Sequence, residues 1–332
     1  MSTDEKIEPP SVNDAKATAA TQGMSIVART QAQLVRRRFF RHRGAMIAMT
    51  VLILVILLAF TSIGFAGIPG WWIWNYYTPG KVVNRGAPTL SLWPTFLGGD
   101  GFAIGLHPFG QDDLGRDYFA LTMRGAQISI TIAFVVGVVG TMIGVTIGAL
   151  AGYYRGGVEA TLMRFTDVMI TIPLLVIAAV LGQKVAGGGP LLLAFVIGLV
   201  TWTGLARLIR GEFLSLREKE FVEAARALGA KPKRIIFRHI LPNTVGVITV
   251  AATLAVASAI LLETALSYLG FGVRAPDTSL GLLVSTYQNA FVTRPWLFWW
   301  PGLFIITIAL CVNFIGDGLR DAFDPRQNRV RA

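Results

Sequence analysis

Between Arg207 and Pro242 the chain reads RLIRGEFLSLREKEFVEAARALGAKPKRIIFRHILP, a stretch whose residue types suit docking rather than catalysis. Glu218 to Leu228 favours a helix, and Gly229 stands where a left-handed cap would end it. Pro232 suits the first turn of a second helix, on which Ile235, Ile236, Phe237 and Ile240 supply apolar surface. Such a helix–glycine turn–helix needs somewhere to bury that surface. Two occupants fit: a partner protein, or an anionic lipid surface met by Lys231, Lys233, Arg234 and Arg238.

Residues that could break bonds are scarce. There is no G-x-x-x-x-G-K-[ST] phosphate loop, no H-E-x-x-H and no G-x-S-x-G, so the chain is expected to be no enzyme and to hydrolyse no ATP itself. His42, His107 and His239 are far apart and Cys311 is the sole cysteine, so no metal site is expected, and Cys311 reads as packing.

These residues must be positioned by a bilayer. The 332 residues are 53% hydrophobic and 15% charged, with mean hydropathy +0.58, against soluble packing. The predicted fold is an all-α polytopic membrane protein with six spans: Ala45–Phe65, Ile128–Gly152, Val168–Gln183, Leu191–Ala206, Leu241–Leu262 and Trp296–Gly316. The third is short unless it starts near Arg164 or Asp167, and Gly187-Gly188-Gly189-Pro190 turns the chain before the fourth. The first apolar stretch starts more than forty residues in and exceeds a signal-peptide core, so it reads as a span.

A formal charge of +11 would suggest nucleic acid on a soluble chain, but here the basic residues flank apolar segments and mark topology. With the amino terminus inside, the inner stretches hold 23 basic residues and the outer ones 7, so both termini are expected in the cytoplasm. The chain divides into a disordered, basic tail (1–43), a first span with a long outer segment (44–124), a core (125–317) containing the 207–242 loop, and a second tail (318–332). Trp71, Trp72, Trp74, Tyr76 and Tyr77 in the outer segment suit an interfacial aromatic belt, or contact with a delivered substrate or an external partner.

Gly140, Gly144, Gly148 and Gly152 share one face of the second span, where another helix can approach closely, from this chain or a second subunit. Glu263 lies 21 residues beyond Pro242, on the order of 30 Å along a helix, which suits a water-facing boundary carboxylate or a gate in a translocation path.

Glu223-Ala224-Ala225, Gly229 and Ile240-Leu241-Pro242 resemble the cytoplasmic EAA loop of permease subunits of binding-protein-dependent ABC importers. His239-Ile240-Leu241-Pro242-Asn243 resembles the dipeptide/oligopeptide branch, although His239 stands where the general pattern has an apolar residue. Residues 110–117 with Arg124-Gly125-Ala126, and residues 316–321 with Asp324-Pro325, are similar to segments of the same branch. The likeness spans about residues 36–326.

That resemblance implies the type I importer transmembrane fold. It also implies work beside a homologous second permease, two ATP-binding ABC subunits that use ATP and Mg, and an extracytoplasmic substrate-binding protein. Glu223, Ala224, Ala225, Gly229, Leu241 and Pro242 would then belong to the element that docks on the ATPase. Short peptides are the expected cargo, with nickel chelates, glutathione or another small solute as alternatives. An intramembrane enzyme or a membrane scaffold fits less well.

Overall fold

The computed structural model describes residues 31–91, 101 and 103–324. The remainder of both tails and part of the outer segment, about which the sequence raised expectations, lie outside the described residues. Helix α1 (Gln31–Arg41) is followed by α2 (Arg43–Ser62). The basic stretch before the first span, expected to be disordered, is therefore helical from residue 31, and α1 lies against the last helix. His42 breaks the two apart: its Nδ1 accepts the Ala45 N–H at 3.0 Å and caps α2, while Nε2 faces Asp321 at 3.5 Å.

Beyond a two-residue β-hairpin (Gly64–Phe65 with Ile68–Pro69) the chain crosses the end of the bundle in irregular turns. It then enters α3 (Tyr118–Tyr154), capped by Asp117, which accepts the Ala120 N–H at 2.7 Å. Gln127 on α3 donates to the Ala59 and Gly64 carbonyls at 2.8 and 2.9 Å, satisfying groups that the end of α2 leaves over.

The third and fourth spans are not the straight helices predicted. The third is α4 (Gly156–Thr171) and α5 (Leu174–Val185), bent by 84°; the fourth is α6 (Gly189–Gly198) and α7 (Thr203–Arg217), bent by 43°. Pro173 causes the first break, because it lacks an N–H and drives Ile172 to an extended conformation (φ −82°, ψ 125°). At the second, the Trp202 indole N–H takes the Leu199 carbonyl, which the bend leaves without its helical partner.

After α8 (Glu220–Ala227), α9 (Pro232–Tyr268) forms the fifth span, the short α10 (Leu280–Tyr287) returns along the bundle, and α11 (Trp296–Phe323) is the sixth. Among the described residues, four single helices are long and apolar enough to cross a membrane, and counting each of the two bent pairs as one span makes six.

The ends of the bundle differ. Arg38 donates to the Asp324 carbonyl at 3.0 Å, and Gly246, early in α9, faces Phe323. Residues 31–43, 318–324 and the start of α9 thus share one end. The opposite end is covered by the segment before α3. There Trp72 donates to Asp117 at 3.0 Å, Phe109 stacks on Trp300 at 3.8 Å, and Trp74 lies against His107 at 4.9 Å. The aromatic run expected to be an interfacial belt is partly spent on this cover, with Trp71, Trp74 and Tyr77 still exposed. Cys311 is buried within α11.

Candidate functional site

Helix α8 carries Glu223, Ala224 and Ala225. It ends as its sequence predicts: Gly229 has φ +76°, its N–H bonds to the Arg226 carbonyl at 2.9 Å, and the Ala230 N–H reaches back to Ala225 at 3.0 Å. This pair of bonds closes the helix and turns the chain sharply toward α9.

The second helix of the expected hairpin is the beginning of α9 itself. Pro232–Arg234 form one turn and Ile235–Ile240 a π-helical stretch that runs directly into the fifth span. The wide turn has a local cause: Pro242 carries no N–H, and the Leu241 N–H reaches Ile236, five residues back. Asn243 donates its side-chain amide to the His239 carbonyl at 2.6 Å. Leu241 is half-buried and Pro242 exposed.

The expected apolar surface is also distributed differently. Ile235, Ile236 and Ile240 are buried inside the chain, in a small core with Val222, Ile209, Phe213 and Tyr153. A 3.6-residue periodicity shows that a face must be covered but not by what. Val222 and Ala225 fasten α8 to this core, leaving exposed Phe221, Ala224 and Leu228 on its neighbouring face and Phe237 beyond. Leu228 is 89% exposed. Glu223 is exposed in the first turn of α8, where a carboxylate suits the helix dipole.

The arm behind α8 is held tightly. Added Cβ atoms at Gly140, Gly144, Gly148 and Gly152 would meet Thr201, Leu205, Ala206 and Phe213 at 2.5 to 2.9 Å. The partner of the glycine face is therefore the α6–α7 arm of this same chain, and backbone lies against backbone along its length.

Glu263 is fully buried, so it is not the water-facing boundary carboxylate that its position suggests. Its Oε2 accepts from Ser129 on α3 at 2.9 Å and its Oε1 from Ser267 at 2.7 Å. The Leu280 N–H donates to Ser129 at 3.1 Å and the Val273 N–H to Ser267 at 3.2 Å, which directs both hydroxyl protons at the carboxylate.

Three further sets of contacts join residues that the sequence did not pair. Arg210 pairs with Glu159 and Arg207 with Asp167 at 2.6 Å, linking α4 to α7, and Arg155 just before α4 pairs with Glu218 just after α7 at 2.8 Å. At the covered end His107 donates to Asp117 at 2.7 Å. Nearby, Asp112 accepts from Arg116 Nε at 2.6 Å and from the Tyr287 hydroxyl at 3.1 Å. Burial opposes the Arg116 charge, yet Asp112 holds its pKa above the ordinary value; burial, reinforced by Asp112, pushes the Tyr287 phenol up. Only the i,i+4 spacing of Asp112 and Arg116 carried a local signal for any of these contacts.

Comparison with known proteins gives the family. Residues 144–329 match the family described as binding-protein-dependent transport system inner membrane component, and residues 30–81 match the N-terminal TM domain of oligopeptide transport permease C. The chain is 36% identical over 311 residues to the oligopeptide transport system permease protein OppC of Haemophilus influenzae, covering 91% of each. It is 34% identical over 299 residues to OppC of Mycobacterium bovis, covering 90% of this chain and 96% of that one. Among solved structures, a chain of the inward-facing MetNI methionine ABC transporter aligns with TM-score 0.48 and 22% identity, over 61% of this chain and 96% of that one. With its residues 144–329 inside that family and nine-tenths of its length aligned to such relatives, the chain belongs to the multi-pass inner membrane components of binding-protein-dependent transport systems.

Proposed function

We propose that the chain is one permease subunit of an ATP-driven importer of oligopeptides, and that α8 with Gly229 is its docking element for an ATP-binding subunit. The observation that carries this reading is the division of labour on α8. One face, through Val222 and Ala225, is built into the transmembrane core, while the next presents Phe221, Ala224 and Leu228 to solvent. Apolar surface held out on a firmly fixed arm suits a protein partner that pushes on it. Anionic lipid would favour a basic face, and Lys231, Lys233 and Arg234 lie beyond the glycine turn rather than on this ridge.

In this reading the end bearing α8, residues 31–43 and 318–324 is cytoplasmic. The covered end faces the substrate-binding protein, a homologous permease completes the pathway, and ATP and Mg are used by two separate ABC subunits. Nucleotide drives transport only because the ATPase pair, docked on α8, binds it better in one transmembrane state than the other. Peptide cargo is supported by the likeness to OppC along nearly the whole chain.

Purification from detergent with the neighbouring ABC subunits, followed by reconstitution with the binding protein, tests the reading. ATP-dependent uptake of a labelled oligopeptide is expected. Failure to recover any ABC subunit, or uptake from vesicles lacking one, would overturn it.

A further inference from the structure

Resting on the permease reading, we propose that the ion pairs between α4 and α7 are the linkage by which movement of α8 reaches the broken third span. Glu159–Arg210 and Asp167–Arg207 are thus the positioning residues of coupling.

The two sides of α7 are attached in opposite ways. Toward α3 the contact is rigid, because the glycine face from Gly140 to Gly152 leaves no space between backbones. Two surfaces so closely packed move as a unit. Helix α8 follows α7 after only Glu218 and Lys219, so displacement of α8 must carry α7 and α3 together.

Toward α4 the contact is loose. Among the sixteen residues of α4 only Thr166 is buried, and a cleft of about 470 Å³ lies between α4 and α7. Across it run the two ion pairs, with Arg155–Glu218 at the root and Phe165 stacked on Trp202 at 5.8 Å. As numbers rise from 155, just before α4, through 159 to 167 on it, their partners fall from 218, just after α7, through 210 to 207 on it, so the two helices run antiparallel and the pairs act along their length.

Helix α4 then passes through Ile172-Pro173 into α5, turned by 84°. At Gly182, α5 packs against the Phe271 carbonyl, beyond the far end of α9. The α4–α5 pair is thus a crank, with one arm tied by charges to α7, which carries the docking element, and the other reaching the opposite end of the bundle. Arg207 and Asp167 are each about half exposed. An ion pair this open adds little to stability and can slip or re-form during a cycle, while Glu159–Arg210, with Glu159 21% exposed, is the more enclosed of the two.

The test uses the whole reconstituted complex, with both permeases, both ATPases and the binding protein. Asp167→Arg and Arg207→Asp are made singly and together, and peptide taken up per ATP hydrolysed is measured. Each single reversal is expected to lower that ratio at least about fivefold with the ATPase rate maintained, and the double swap to restore it. Unchanged ratios in the single reversals, or no recovery in an assembled double swap, would overturn the linkage. So would single variants that fail to assemble with the ATPases, since the pairs would then be holding the fold. A wild-type complex that hydrolyses ATP without any peptide uptake would instead defeat the permease reading, and the linkage with it.

Discussion

The carboxylate of Glu263 and the hydroxyl of Ser129 meet at 2.9 Å across the α9–α3 interface, with Glu263 fully buried and its two oxygens facing serines rather than a cation. Ser129 is in turn fixed by the Leu280 N–H, and Ser279 caps α10 by accepting the Leu282 N–H at 3.2 Å. One acidic side chain therefore ties together α3, α9 and the start of α10. Glu263→Leu would leave both hydroxyls without their acceptor, at about 1–3 kcal/mol for each buried group. Glu263→Gln keeps the shape but turns one acceptor into a donor, so about half that loss is expected. Thermal unfolding in detergent should rank wild type above Gln above Leu; equal midpoints would show that the cluster is not a clamp.

Docking and folding should separate on α8. Leu228→Asp changes a side chain that is 89% exposed, so the thermal midpoint should stay put while recovery of the ABC subunit falls at least about tenfold. Val222→Asp buries a charge in the small core around Ile235 and Phe213, and the protein itself should become unstable. Gly229→Pro removes the N–H bonded to Arg226 and cannot adopt φ +76°, so it should misdirect α8 and uncouple transport with the membrane spans still inserted. Pull-down yield set beside thermal midpoint for the three variants distinguishes the outcomes.

Gly148 makes the tightest contact of the glycine face: a Cβ there would lie 2.5 Å from the Ala206 carbonyl oxygen and 2.8 Å from Ile209 Cβ. A carbonyl in a helix cannot turn aside as a side-chain tip can. Gly148→Ala should therefore force α3 and α7 apart and cost about 1–3 kcal/mol, seen as a fall of a few degrees in the thermal midpoint. Gly211, on α7 but with open space around it, serves as control, since Gly211→Ala should be harmless.

What was legible beforehand follows the range of the interactions. The cap at Gly229 and the glycine face were readable because both depend on spacing within a single helix. The break in the third span carried its own sign in Pro173, yet the short uncharged run was read as one helix starting farther back, near Arg164 or Asp167. The bend at Leu199–Trp202 contains no proline and had none. The burial of Ile235, Ile236 and Ile240 could not be told from a docking face, because periodicity does not name the covering surface. Glu263 finds Ser129 134 positions away, and Trp72 finds Asp117 45 positions away. Pairings at that distance are set by how the helices pack, which no local pattern encodes.

Asp117 concentrates three duties at the covered end. It caps α3 through the Ala120 N–H, accepts the Trp72 indole N–H on the same oxygen, and holds His107 on the other at 2.7 Å. Asp117→Ala removes the cap, at about 1 kcal/mol, leaves the buried His107 without its partner, at about 1–3 kcal/mol, and frees the half-buried Trp72 indole N–H at a smaller cost. Asp117→Asn can keep one oxygen toward Ala120 and Trp72 while its amide donates to His107 Nδ1 once the imidazole carries its proton on Nε2, so it should be much milder than Asp117→Ala. Because these contacts join Trp72 and His107 to the first turn of α3, the damage should appear first as faster proteolysis between residues 70 and 117, ahead of any change at α8. Cleavage no faster in Asp117→Ala than in wild type would mean that the aromatic cover is held by stacking alone, with Phe109 on Trp300 as its principal anchor.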